Sequence, residues 1–384
     1  MMETPYLCHQ ENIRKIMKTK NLLYLCLALA ASVSCGSAPK QEQPVKVADY
    51  LWEITVNDYA STAPECLFGK VAVDFGCSAV RNGNFYGRNL DFFVNEKAEV
   101  VIHTPARNGR HAAIGVGLMN HMTDAQVAEG LTAEQISMLP WGMYDGINDA
   151  GLFCNMNVVD YADGGECTGT NPGKPEVHTA FLIRELLDNC GSVDEAIAYI
   201  NSRNIICDIV GGFNLHFMIG DPGKNVVVEF INNEVVVRDH NIMTNFYVNM
   251  DALTPNADGV ERYAILKEHY AEGGESMEGM RKLMKRVRYS QAYDPTVVPF
   301  WKSEFHENGR YSWDDPDEVI LADPNVQAQI ANFAHFRETG EYTLEMGLWF
   351  TTHNSVYDIS GRKLRVTVRE NYDRYFDFEL YRRE

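Results

Sequence analysis

The 384-residue sequence has no internal repeat, no low-complexity tract and no CxxC pair. Without the first two there is no case for a repeat array or a long disordered segment, and without the third the usual zinc-ribbon spacing is missing. Its nine cysteines are too few and too scattered for a disulfide scaffold. Positive charge is scarce as well. Lys and Arg number 34 against 53 Asp and Glu, for a formal net charge of −19. So acidic a chain argues against nucleic acid and against anionic membrane surfaces as partners. The apolar run from Leu22 to Ala31 is too short to span a bilayer comfortably. What is present is an ordinary globular composition, 45% hydrophobic and 23% charged, whose 19 tyrosines favour strands.

The beginning of the chain reads as a targeting segment. Met17-Lys18-Thr19-Lys20 supplies a basic start, Leu22 to Ala31 an apolar core, and Ser32-Val33-Ser34-Cys35 a small-residue cleavage site. Residues 1–16 read as an extension upstream of it. A cysteine directly after the cleavage point, then Gly36-Ser37 and a polar stretch to Lys46, resembles a bacterial lipoprotein signal with Cys35 as the lipidated residue. Ser32 stands where leucine is usual, so plain secretion is the alternative. The expectation is an exported protein of the cell envelope or periplasm, touching a membrane only through a lipid on Cys35. Removing residues 1–34 takes away four Lys/Arg and two Glu and moves the net charge to −21. Residues 35–76 then form a propeptide or N-terminal segment, and residues 77–384 the main domain.

That domain opens on the stretch with most chemistry. Cys77 begins a short strand, an Asn82-Gly83 turn follows, and a return strand ends on Arg88 and Asp91. Such a hairpin gathers a thiol, a guanidinium and a carboxylate in one small volume. A thiol of reference pKa near 8.5 is mostly protonated at neutral pH, and Arg88 favours the thiolate by opposite charge. If the chain is cut before Cys77, the new α-amine has a reference pKa of about 7.7–8.0, suited to a general base. Nucleophile and base then share one residue, with Asp91 placed to orient the amine.

The remainder reads as strands, helices and strands again. Val47–Tyr59 fits either a helix or a strand, and Val71–Phe75 is an apolar run leading into Gly76-Cys77. Strands are expected at 99–103 and 112–117. Met119, Met122 and Met138, with Trp141, suit either an adaptable apolar pocket between Leu118 and Trp141 or plain core. The strand after Asp145–Leu152 carries Asn155 and Asn157 on one face, a polar face that lines a site. Helices follow at 178–189 and from a Ser192 cap, then a three-strand meander from Leu215 to Val237. Thr244-Asn245 interrupts an apolar run, and helices at 260–266 and 277–287 precede C-terminal strands at 347–352, 355–359 and 363–368. This order implies helices packed outside antiparallel sheets.

Cys77-Ser78, Gly87-Arg88-Asn89-Leu90-Asp91, Asp145-Gly146-Ile147-Asn148-Asp149-Ala150-Gly151-Leu152, Thr244-Asn245 and Glu261-Arg262-Tyr263 resemble, in the same order, the motif series of the choloylglycine hydrolase family. Trp349…Ser355-Val356-Tyr357-Asp358 fits its last strands. The resemblance implies an α+β fold, the αββα sandwich of N-terminal nucleophile hydrolases, with two stacked antiparallel sheets flanked by helices. It implies an amidase that splits a linear C–N bond of a small N-acyl amide through an acyl-cysteine, with no cofactor or metal. Cys77 is then nucleophile and base, Arg88 and Asp91 its neighbours, and Arg262 a brace. Asn245 serves the oxyanion, together with Asn157 or, one alignment gap away, Asn155. The hairpin is several residues shorter than in bile salt hydrolases, which separates the substrate question from the chemistry. A homo-oligomer is compatible with the sequence. The competing reading is a non-catalytic surface lipoprotein that binds a ligand or glycan through its aromatics.

Overall fold

The structure is a computed structural model describing residues 42–60, 63, 77–93, 97–160, 164–165, 167–207, 213–249, 259–288, 322, 327, 349–368 and 372–380. The targeting segment, Cys35 and the Val71–Phe75 run lie outside the described residues. So do the side chains of Met119 and Met122.

In chain order the first half holds β1 (Val45–Ala48), β2 (Leu51–Thr55), β3 (Cys77–Asn82), β4 (Phe85–Phe93), β5 (Lys97–Thr104) and β6 (Ala113–Thr123). Helices α1 (Asp124–Glu129) and α2 (Ala133–Met138) come next, then β7 (Met143–Asn148) and β8 (Phe153–Asp160). The middle holds β9 (Glu176–His178), α3 (Leu182–Asn189), α4 (Val193–Asn201), β10 (Asn204–Ile206), β11 (Phe213–Gly220), β12 (Asn225–Ile231), β13 (Glu234–Asp239) and β14 (Ile242–Met243). The last part holds α5 (Val260–Glu268), α6 (Met277–Lys285), β15 (Trp349–Asp358), β16 (Lys363–Val368) and β17 (Phe376–Glu379).

These strands make two large sheets, one ordered β1-β2-β5-β6-β7-β8-β11-β12-β13 and the other β14-β3-β4-β15-β16-β17. Three apolar clusters show how they stack. Ile114, Ile147, Phe153 and Met218 of the first sheet meet Tyr86, Tyr357 and Leu364 of the second in a core between the sheets. Leu182, Leu186, Ala196 and Ile200 of α3 and α4 cover the far side of the first sheet. Leu266, Met280 and Leu283 of α5 and α6 cover the far side of the second. The order is helix, sheet, sheet, helix, the expected αββα sandwich. Pairing is antiparallel except between β2 and β5, and in the small β9–β10 pair.

Several local readings shift. The hairpin turn is Gly83-Asn84, one residue beyond the expected Asn82-Gly83, because Asn82 still pairs with Phe85 in the ladder. Gly83 takes the positive φ (+58°) such a tight turn needs at its first central position. The Asn82 side chain is spent on Tyr270 O (2.7 Å), and Asn84 accepts from the Ser360 amide (3.0 Å). Two strands, β1 and β2, joined by a turn at Asp49-Tyr50, resolve the helix-or-strand ambiguity there. The two expected strands at 347–359 are one strand, β15, with an irregularity between Thr351 and His353. Cys167 and Cys207 form a disulfide, a pairing spacing alone does not reveal. Trp141 is core at the end of the Leu118–Trp141 stretch, packed edge-on to Phe181 at 6.2 Å.

The first sheet admits no side chain at Gly115. A Cβ there would lie 2.2 Å from the Asp145 carbonyl oxygen, a backbone atom of the adjacent strand that cannot swing aside. Gly115→Ala is therefore expected to cost about 1–3 kcal/mol, read as a lower denaturation midpoint at unchanged m-value. An unchanged midpoint would show that β6 and β7 part freely.

Candidate active site

The β3–β4 hairpin pairs Cys77 with Leu90 and Ala79 with Arg88, so the strand after the turn returns alongside the cysteine. Alternation along β4 then sends neighbouring side chains to opposite sides. Arg88 points between the sheets and meets Asp145 of β7, while Asn89 faces α6 and donates to Met284 O at 2.9 Å. Cys77 is thereby approached from both sides of its sheet.

From the interior, Arg88 Nη2 stands 3.7 Å from Cys77 Sγ and donates to Met156 O at 3.1 Å. Its Nη1 donates to Asp145 Oδ2 at 3.1 Å, and the guanidinium lies 5.8 Å from the Tyr144 ring centroid. Arg88 is 1% exposed. Burial works against its charge, but Cys77, Asp145 and Tyr357 outweigh that, and the net shift is upward. From the helical side, Arg262, in the first turn of α5, donates through Nη1 to the Cys77 carbonyl and to Ser78 Oγ (2.9 Å). Its Nη2 donates to Asn245 Oδ1 at 2.7 Å, and Asp91 Oδ2 lies 3.7 Å from Nη1. Asp91 Oδ1 accepts from Thr351 Oγ1 at 2.6 Å. Gly259, directly before α5, has φ +85°, and a Cβ there would sit 2.8 Å from Thr244 and 3.0 Å from Arg262. The close approach and the left-handed backbone both call for glycine.

Asn245 Oδ1 also accepts the Cys77 backbone N–H at 2.8 Å, and Asn245 Nδ2 donates to Val158 O at 2.8 Å. The segment presenting Asn245 is pinned from the first sheet. His216 Nε2 faces Thr244 O at 2.9 Å, and Glu229 accepts from the Val248 and Asn249 amides at 2.8 and 2.9 Å. Burial pushes the Glu229 carboxyl up, but His216, Asn249 and Val248 outweigh it and the net shift is down.

Asn155 and Asn157 do share a face of β8, and Asn155 Nδ2 donates to Asn157 Oδ1 at 3.1 Å. Asn157 Nδ2 donates to Met243 O (3.2 Å) and Thr244 O (3.1 Å). Both of its N–H bonds thus go to main-chain carbonyls, an arrangement that differs from an oxyanion donor aimed at Cys77. The structure therefore brings Cys77, Arg88, Asp91, Asn245 and Arg262 together and sets Asn157 one step back.

Behind Arg88 lies a chain of buried groups that the motif reading passed over. Tyr357 donates to Asp145 Oδ1, His353 Nε2 stands 3.4 Å from Asp145 Oδ2, and His353 Nδ1 stands 2.9 Å from Glu99 Oε2. Burial disfavours the His353 cation, yet Glu99 and Asp145 push its pKa up to about 9. Burial likewise raises Asp145, but the His353 hydrogen bond and Arg88 bring it below the usual carboxylate range. The available signal was Glu99 at the head of the apolar Val100–Ile102 run in β5, whereas His353 sits among Thr351, Thr352, Asn354 and Ser355 and gave none. Among the described residues, no cluster of three His, Cys, Asp or Glu side chains is placed to hold a metal ion. Among them also, no helix is long and apolar enough to cross a membrane.

Residues 78–255 match the sequence model of a family described as linear amide C–N hydrolases, choloylglycine hydrolase family. Among solved structures, the chain is similar to a conjugated bile acid hydrolase from Clostridium perfringens. Identity is 15% over 80% of this chain and 92% of that one, with a TM-score of 0.43. A second variant of that hydrolase gives 16%, 79%, 92% and 0.42 respectively. Penicillin V acylase from Agrobacterium tumefaciens is 15% identical over 76% of this chain and 82% of its own, with a TM-score of 0.39.

The buried chain sets a pH window for stability. Asp145 is held below its ordinary value of 3.8, so its contribution is present above that value and is lost as pH falls through the lowered one. His353 is raised from 6.5 to about 9, so its contribution is complete below 6.5 and is lost as pH climbs through 9. The thermal midpoint should plateau between these limits. His353→Gln should lower it by about 3 kcal/mol in equivalent stability and remove the decline between pH 6.5 and 9. Identical alkaline limbs for the two proteins would mean that His353 is neutral in the fold.

Proposed function

The chain belongs, through residues 78–255, to the choloylglycine hydrolase family of linear amide C–N hydrolases, and we propose that within it Cys77 is the nucleophile of an N-acyl amidase activated by cleavage before that residue. One observation carries this reading. Sulfur, nitrogen and carbonyl oxygen of Cys77 are each engaged by a different buried side chain: Arg88, Asn245 and Arg262. An inert core cysteine has no use for three such partners. The Asn245 carbonyl oxygen beside the Cys77 nitrogen suits an amine that must hold a lone pair ready and then accept a proton.

In the precursor, Cys77 Sγ attacks the Gly76 carbonyl, the acyl group moves from nitrogen to sulfur, and water hydrolyses the thioester to free the α-amine. In turnover, the amine takes the thiol proton as sulfur attacks the substrate carbonyl carbon. The oxyanion that forms takes an N–H from Asn245 Nδ2, whose other N–H is spent on Val158. The amine then protonates the leaving nitrogen, the C–N bond breaks, and an acyl-cysteine remains. Water, deprotonated by the same amine, attacks the thioester and releases the acid. Arg88 stabilises negative charge on sulfur throughout, Arg262 and Asp91 keep the Cys77 main chain in place, and Asn157 holds the Met243–Thr244 carbonyls that deliver Asn245. The substrate class is an N-acyl conjugate: an N-acyl amide, a conjugated bile salt or a phenoxyacetyl penicillin. A signal segment over residues 1–34, cleaved before Cys35, would place the enzyme outside the cytoplasm.

Cys77→Ser should leave the precursor uncut by intact mass and abolish hydrolysis of a panel of such amides. Full activity from an uncut serine variant would sink the mechanism. Asn245→Ala should lower kcat by about 10²–10³-fold with KM within a few-fold. A rise in KM alone would take Asn245 out of the oxyanion role.

A further inference from the structure

Residues 42–60 precede the proposed cut, yet they are built into the first sheet. β2 pairs residue for residue with β5, from Leu51 opposite Glu99 to Thr55 opposite His103, and β1 folds back on β2. The ladder extends at both ends, where Glu99 N–H donates to Tyr50 O and Val56 N–H to His103 O, each at 2.8 Å. Side chains seat on both faces. Leu51 belongs to the core between the sheets, while Trp52, Ile54, Val56 and Tyr59 belong to the core under α3 and α4. Three donors, Lys46 Nζ, the Tyr50 amide and Trp52 Nε1, converge on Asp124 at 3.0, 3.2 and 2.7 Å. Gln43 exchanges two hydrogen bonds with the Leu131 main chain at 3.0 and 2.8 Å. Tyr59 donates to buried Asp188 at 2.7 Å, with Arg110 and Arg184 over its ring.

We propose that the peptide released by cleavage stays in place, so that the mature enzyme is two chains, with residues 42–60 supplying the β1–β2 edge of its first sheet. The inference rests on the cleavage argued above. Its force is that the segment fills the catalytic domain's core instead of covering its surface. Losing it would unpair the β5 edge, empty the sites of Trp52, Val56 and Tyr59, and strip a neutral hydrogen bond from the buried Arg184–Asp188 pair. A lipid on Cys35 would then hold the catalytic chain at the membrane through β1 and β2, with no covalent link between anchor and nucleophile. Retention also makes the N-terminal peptide part of the active protein's stability.

The full chain, tagged at its C-terminus, should run as two pieces under denaturing conditions and as one 1:1 species by native mass and size exclusion. The peptide and the activity should be lost together as denaturant is raised. Native, fully active protein beginning at Cys77 with no peptide bound would overturn the proposal. Retention can be separated from self-cleavage by inserting a site-specific protease sequence after Ala63 in Cys77→Ser protein. A peptide that remains bound after that cut supports retention whatever Cys77 does, and one that leaves overturns it. An uncut wild-type chain with full activity refutes the cleavage reading instead. In the cut protein, Val56→Asp, and the milder Trp52→Ala, should speed peptide loss at least about tenfold. Equal rates would show that these contacts do not retain it.

Discussion

Everything near Cys77 depends on two guanidinium groups buried on opposite sides of one strand. Arg88 and Arg262 are 1% and 3% exposed, and a buried charge persists only when opposite charge and hydrogen-bond acceptors surround it. The fold supplies them in kind. Arg88 has Asp145, Arg262 has Asp91 and the carbonyl of Cys77, and the His353 cation has Glu99. Three cations face three carboxylates, drawn from β4, β5, β7, β15 and α5. In a network balanced in this way every single deletion is costly, because each removal leaves an uncompensated charge in a dry interior.

The sheet topology makes the balance possible. The hairpin alone places Cys77 and Arg88 near each other, but Asp145 comes from the facing sheet and Thr351 from β15, which pairs with β4 on the side away from β3. Strand alternation then separates function by side, with Arg88 turned inward to electrostatics and Asn89 outward to the α6 contact. Gly115 and Gly259 mark where backbones or side chains come too close for a Cβ, and each adjoins a residue the site relies on, Asp145 in one case and Arg262 in the other.

What was legible in the sequence was what repeats at short range or clusters as a motif. The hairpin, the β11–β13 meander and the helices α4–α6 follow from local patterning. Cys77, Arg88 and Asp91 stand out because one hairpin gathers them, Asn245 because it interrupts an apolar run, and Arg262 only through the ordered motif resemblance. Less accessible were facts that depend on pairing across the chain. His353 looks like any strand histidine until Glu99, 254 positions away, is seen against its Nδ1. Asn157 and Asn245 look equivalent by sequence, and only the direction of each amide tells them apart. Asn157 spends both N–H bonds on carbonyls, whereas Asn245 turns its oxygen to Cys77. The turn moved by one residue because the ladder, not the Asn-Gly pair, decides where the strands stop.

A hydrolase of this kind faces opposed requirements around one sulfur atom. Arg88, Asp145 and His353 act strongly because water is excluded from them, yet the acyl-cysteine of the proposed mechanism would have to be reached by water to turn over. The geometry separates the two along the strand, not by depth, since Cys77 is 2% exposed and Arg88 1%. Cys77 is the first residue of its strand, at one end of the hairpin, whereas Arg88, Tyr357 and Asp145 lie along the strands between the sheets. Cys77, the proposed nucleophile, thus sits at the end of the buried charge network. A strand-end cysteine also suits the proposed activation, because a cut before Cys77 would break no ladder hydrogen bond within β3. Under the proposed cleavage, the strand-end position of Cys77 would let the precursor be opened without loosening the hairpin that brings Arg88 to its sulfur.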